Sequence, residues 1–156
     1  MESLIEKALA LKKVSIFENL SAEALRLLAS ACEETESRRN EIILNEGEAS
    51  ATLHIIVSGS VNVIRNFGGK TEKHLATLTT GGYFGEMNLF DGDPHSATVV
   101  AAENCRLFCI RRDPLREIID LHPPLALEIL RGFSLRLRSA NRREENASIK
   151  GGETRG

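Results

Sequence analysis

The 156-residue sequence predicts a mainly β member of the α+β class: a β-roll, jelly-roll-like in its run of short strands, flanked by N-terminal helices and by a short and a long C-terminal helix. Three observations predict it. Apolar residues recur three and four apart up to about residue 32, the period changes to two from Asn40, and a helical period returns after Asp113. At this length the chain forms one domain, which buries roughly 68 to 70% of the surface its unfolded form exposes.

Leu4, Ile5, Ala8 and Leu11 share one face of a first helix. In IFENLSAEALRLLASACEE a turn precedes a second helix, with Ser21 as its N-cap and Leu25, Leu28 and Cys32 on its buried stripe. The runs IILNEGE, TLHIIVSGSVNVIRNF, KHLATLTTGGYF and SATVVAAENCRLFCIRR read as strands separated by Gly, Asn and acidic clusters, a pattern that suggests a roll or sandwich. Asp113 and Pro114 mark the N-cap and first turn of a short helix with Leu115, Ile118 and Ile119 inward. His122, Pro123 and Pro124 end it. A longer helix then carries Ala126, Leu130, Phe133, Leu137 and Ala140 three or four apart. The expected boundaries are helices over 3–32, the roll over 40–112, helices over 113–147 and a glycine-rich flexible tail over 148–156, with 1–147 as a single domain.

A net charge of -2 lacks the basic footprint that phosphate-backbone binding requires, so nucleic acid is not expected as a direct partner. No helix-turn-helix is expected in the few residues given after the long helix. The three cysteines lack zinc-site spacing, and Cys105 and Cys109, four apart in a strand, fall on one core face as reduced thiols. Reduced thiols favour a cytoplasmic setting. No apolar run reaches 18 residues, so no membrane insertion is expected. A metal-using roll enzyme would need His-x-His with a Glu and a further His, and the sequence has no His-x-His, no Cys-His pair with an orienting acid and no paired carboxylates on matching strands. The expectation is a protein without catalytic residues, metal or cofactor. His54, alternating with Leu53 and Ile55, is expected to face solvent, and His74 and His122 are not ligand candidates.

One stretch calls for a ligand: YFGEMNLFDGDPHSATVV, residues 83–100. Gly85 lets backbone N–H groups approach a ligand closely, and the first amides of the short helix that follows are unpaired donors with partial positive charge, an anion seat at Gly85 to Asn88. Glu86 cannot hold an anion, so its carboxylate must accept from a hydroxyl-bearing part of the same ligand, such as a sugar.

Here the sequence resembles the cyclic-nucleotide-binding domain family, the module shared by catabolite activator protein and the regulatory subunits of cAMP-dependent kinase. IFENLSAEAL, the NEGE turn, HIIVSGSVNV, TLTTGGYFGEMNLF, PHSATV, CRLFCI and the Pro-rich entry to the last helix follow the family's order over residues 17–137, with Gly47, Gly59, Gly82 and Gly85 in matching places. The resemblance implies a regulatory module that binds cAMP or cGMP and signals through movement of its C-terminal helices to an effector. It assigns the first half of the phosphate cassette to Gly85, Glu86, Met87 and Asn88, with Glu86 on the ribose 2′-hydroxyl, and the second half to Ser96, Ala97 and Thr98. Val63, Leu75 and Leu78 resemble the apolar wall around sugar and base, and Asn141 falls where a long-helix side chain can reach the base. The long helix implies either a homodimer through its apolar stripe or a cover for the roll.

Two positions depart from the family pattern. His95 stands where the family has its phosphate-clamping Arg, and Asn88 where it has a small residue. Losing a charged hydrogen bond weakens binding about 10- to 150-fold. A His95 facing phosphate would have a raised pKa and be partly protonated near neutral pH, while Asn88 could donate an N–H or fill the seat. The alternative is a degenerate fold without nucleotide binding that serves protein interaction or dimerisation.

Overall fold

The structure, a computed structural model, describes residues 3–155, with side chains through residue 145. Helices α1 (Leu4–Lys12) and α2 (Ala22–Ser30) flank a 3-10 turn at Ser15–Phe17. Ser21 caps α2, its Oγ accepting from the Ala24 amide at 3.1 Å. Eight strands follow: β1 (Glu33–Ser37), β2 (Ile42–Leu44), β3 (Thr52–Ser58), β4 (Val61–Arg65), β5 (Lys73–Leu78), β6 (Tyr83–Phe84), β7 (Thr98–Ala101) and β8 (Cys105–Arg111). The short helix α3 (Asn88–Asp91) separates β6 from β7, and α4 (Arg112–Leu121) and α5 (Pro124–Arg155) close the described chain.

The strands form two antiparallel four-stranded sheets, ordered β1-β8-β3-β6 and β2-β7-β4-β5. The first sheet has apolar layers on both faces. Leu53, Ile55, Phe108 and Ile110 point to the helices, against Leu11, Phe17, Leu28, Leu115, Leu125 and Ile129. Ile56, Leu107 and Cys109 point to the other sheet, against Leu44, Val61 and Val99. All three cysteines are free and buried, and burial pushes the Cys32 thiol up to about 12.

This two-sided burial overturns the expectation that His54 faces water. Alternation in β3 separates two buried faces, not an inner from an outer one. His54 is buried opposite Phe84, and the two rings stack at 4.8 Å and 8°. Its Nδ1 has no hydrogen-bond partner.

Three further expectations need correction. The roll begins at β1, upstream of residue 40, because EETES pairs with β8 through its backbone and through ion pairs of Glu34 with Arg106 and Glu33 with Arg111. Helix α4 starts at Arg112, so Asp113 sits inside its first turn. Backbone helix also continues through 148–155, where composition predicts a tail; Gly156 lies outside the described residues.

The face that α5 buries is displaced from the predicted stripe. Leu125 and Ile129 are buried, while Leu127, Leu130 and Leu137 are exposed. Gly132 selects this face: a Cβ there would collide with the Ile16 carbonyl, so its absence lets α5 rest directly on the 3-10 turn. Glu128, on the same side, accepts from the Ser21 amide at 3.0 Å at the positive end of α2.

Burial lowers the His54 pKa from 6.5 to about 4, with His95 adding to the shift. The unfolded chain therefore binds a proton that the folded chain refuses between about pH 6.5 and 4. Stability is fully present above the unfolded value and falls by about 3 kcal/mol as pH drops through that window. Chemical denaturation of His54→Phe from pH 7 to 4 should show a shallower acid decline than the wild type.

Candidate functional site

The cassette is built on a backbone contact. Gly85 adopts φ +84°, and a Cβ there would strike the Thr52 carbonyl oxygen of β3. Pairing of β6 with β3 stops after Tyr83 and Phe84, and the chain turns into α3. The Leu89 amide donates to the Gly85 carbonyl at 3.1 Å, and the fully buried Leu89 side chain anchors the turn. Gly92, in the left-handed conformation, ends it. Among the described residues the amides of Glu86 and Met87 have no backbone acceptor, which leaves them available to an anion.

Glu86 lies between cassette and long helix. Nη1 and Nη2 of Arg136 each donate to its Oε1 at 3.3 Å. The Glu86 side chain is 17% exposed and that of Arg136 40%, so the pair sits at a mouth rather than in the core. Phe90 of α3 meets Phe133 of α5 edge to face at 5.1 Å. Tyr83 ties the same region to the 3-10 turn by accepting from the Ser15 amide at 3.3 Å. Helix α5 thus touches the cassette at Glu86 and Phe90 and touches the turn beneath it at Gly132.

The predicted clamp residue behaves otherwise than expected. His95 is buried, and its Nε2 lies 2.7 Å from the Ser50 hydroxyl. Its backbone holds the NEGE turn from both sides: the Gly47 amide donates to the His95 carbonyl at 2.8 Å, and the His95 amide donates to the Glu48 carbonyl at 3.0 Å. Desolvation lowers the His95 pKa, only partly opposed by the Glu48 carboxylate. A buried neutral imidazole bonded to a serine is a staple between two loops.

The other predicted residues fall in different surroundings. Gly85, Glu86, Met87 and Asn88 are contiguous at the turn, with Met87 exposed. The Asn88 amide group is committed elsewhere, donating to the Asp93 carbonyl at 2.7 Å. Ser96 is exposed and Ala97 buried, while Thr98 accepts from the Glu46 amide at 3.1 Å. Val63 and Leu78 pack on the core between the sheets, and Leu75 is exposed on the neighbouring strand. Asn141 is exposed on α5. The α5 side chains that meet the cassette are Phe133, which lies on the predicted stripe, and Arg136, which sequence reasoning missed; Gly132, an isolated glycine within a helical pattern, was the available signal.

A β-roll with a left-handed glycine opening a short helix, an acid beside it and a long helix against both is the architecture around residues 83–98. The family model for the cyclic nucleotide-binding domain matches residues 34–122, more than half of the chain, and the chain belongs to that family. It is 28% identical over 131 residues to the CRP-like cAMP-activated global transcriptional regulator of Mycobacterium tuberculosis, covering 84% of this chain and 58% of that protein. It is 34% identical over 95 residues to human cGMP-dependent protein kinase 2, covering 60% of this chain and 12% of that protein. The chain therefore spans little more than half of the first relative and about an eighth of the second. A crystal structure of a cyclic nucleotide-binding domain from Methylobacillus flagellatus superposes with a TM-score of 0.71 at 30% identity, over 94% of this chain and 82% of that one.

Gly85→Ala should destabilise the fold by about 1 to 3 kcal/mol, because it adds left-handed strain and a collision with backbone that cannot rotate away. Gly47→Ala is a useful contrast, since Gly47 has positive φ with open space around it and should lose less. Urea denaturation of the two variants measures the difference.

Proposed function

We propose that the chain is a non-catalytic regulatory module whose cassette binds a cyclic nucleotide, cAMP or cGMP, and reports occupancy through α4 and α5. The observation that carries this reading is the Gly85 turn, with unpartnered Glu86 and Met87 amides beside a carboxylate already joined to the long helix. The amides suit the cyclic phosphate and the carboxylate suits a ribose hydroxyl. The names of the relatives, one cAMP-activated and one cGMP-dependent, support the ligand class. Residues 1–147 are proposed as one unit, and the ligand shifts α5 only as far as its affinity differs between the docked and undocked helix.

Isothermal titration with cAMP and with cGMP tests this reading. We expect saturable binding of at least one, weaker than an arginine clamp gives. Because desolvation lowers the His95 pKa and its ring is tied to Ser50, that affinity should stay flat between pH 8 and 7. A second reading is favoured by the same histidine: with no arginine at this position, the fold serves protein interaction without nucleotide. Absence of heat and of any melting shift at millimolar nucleotide would end the nucleotide reading and support this one.

Assembly as a homodimer is proposed from the exposed side of α5. Leu127, Leu130, Ser134, Leu137 and Asn141 recur at alternating intervals of three and four, the seam of a two-stranded coil. Sedimentation should give a dimer that Leu130→Glu converts to a monomer; a monomeric wild type would end the proposal.

A further inference from the structure

Building on the nucleotide reading above, a difficulty of charge remains. A cyclic phosphodiester carries a negative charge, and the Glu86 carboxylate carries another at the same turn. The cassette's own candidate for the compensating cation, His95, is buried and turned to Ser50. Arg112, the cation behind α3, is engaged with the Phe90 carbonyl at 3.1 Å.

We propose that Arg136 of α5 supplies the positive charge for the ligand's phosphate, so that the cation comes from the long helix instead of the cassette. Both terminal nitrogens of Arg136 lie 3.3 Å from one oxygen of Glu86, Oε1. A guanidinium has five N–H donors in a fixed fork, and two nitrogens aimed at a single oxygen leave donors for a second anion. Glu86 Oε2 has no partner among the described residues and remains free for a hydroxyl of the ligand. Arg136 is held at this place from both sides. Gly132, one turn earlier, seats α5 against the Ile16 carbonyl, and Phe133 packs on Phe90 beside the cassette. The carboxylate would then be shared, one oxygen on the helix and one on the ligand, with the phosphate bridging back to the same guanidinium.

The test is titration of cAMP and cGMP into the whole chain and four variants, with melting curves alongside. Arg136→Met, which keeps length and removes charge, should weaken binding about 10- to 150-fold. Arg136→Lys should fall between that and the wild type, and its affinity should decline more steeply with salt than that of Arg136→Met. Arg143 lines a cavity of about 120 Å³ with Arg136, and Arg143→Met should stay within about twofold of wild type if the charge acts through Arg136 alone. Phe133→Leu, which loosens α5 from Phe90 and keeps the charge, should weaken binding less than Arg136→Met does; equal weakening by both would overturn the assignment of the charge to Arg136. Equal or tighter binding by Arg136→Met in a chain that binds nucleotide would overturn this inference and leave the functional reading intact. No binding by the wild type would overturn both.

Discussion

The approach of Gly85 to the Thr52 carbonyl is the constraint on which the site depends. It ends the β3–β6 pairing after two residues, aims the chain out of the sheet and starts α3 over the fully buried Leu89. Only a residue without Cβ can pass so near another strand's backbone at positive φ. The cassette is consequently a product of main-chain geometry, and the side chains that follow add chemistry to a shape already determined.

Two staples hold that shape from opposite sides. On one side the NEGE turn is pinned by the backbone of His95 and the hydroxyl of Thr98, and the His95 ring closes on Ser50. On the other side α5 reaches the cassette through Arg136 and Phe133. The first staple uses neutral groups in a desolvated place, where an ionised partner would be expensive to bury. The second uses an ion pair at a partly wet mouth, where solvent screens both charges and the pair adds little stability. The division places the readily rearranged contact on the helix and the permanent one within the roll.

The order of helices and strands was legible in the sequence, apart from β1, because the hydrophobic period changes from helical to alternating and back, and the cassette was legible because its glycine and acid follow the order of the family it resembles. What the sequence did not disclose has a common physical origin. Periodicity groups residues by face and is silent on which face is docked. His54 shares its side of β3 with Ile56, and both sides of that strand are covered. On α5 two stripes have helical spacing, and the contact at Gly132 decides between them. Strand β1 escaped notice because EETES has no apolar residue; its pairing rests on backbone bonds and on glutamates answering Arg106 and Arg111. The burial of His95 depended on a partner 45 residues away, Ser50, which no local pattern announces.

Where Gly132 meets the Ile16 carbonyl, the helix has a fulcrum near one end. From Gly132 to Arg155 the helical backbone extends 23 residues, an arm of about 35 Å. A tilt of about 5° at the pivot sweeps the far tip through about 3 Å, close to the breadth of a side-chain contact. Leverage of this kind turns a fraction of an ångström at Arg136, one turn from the pivot, into a displacement at the helix tip as large as a contact distance.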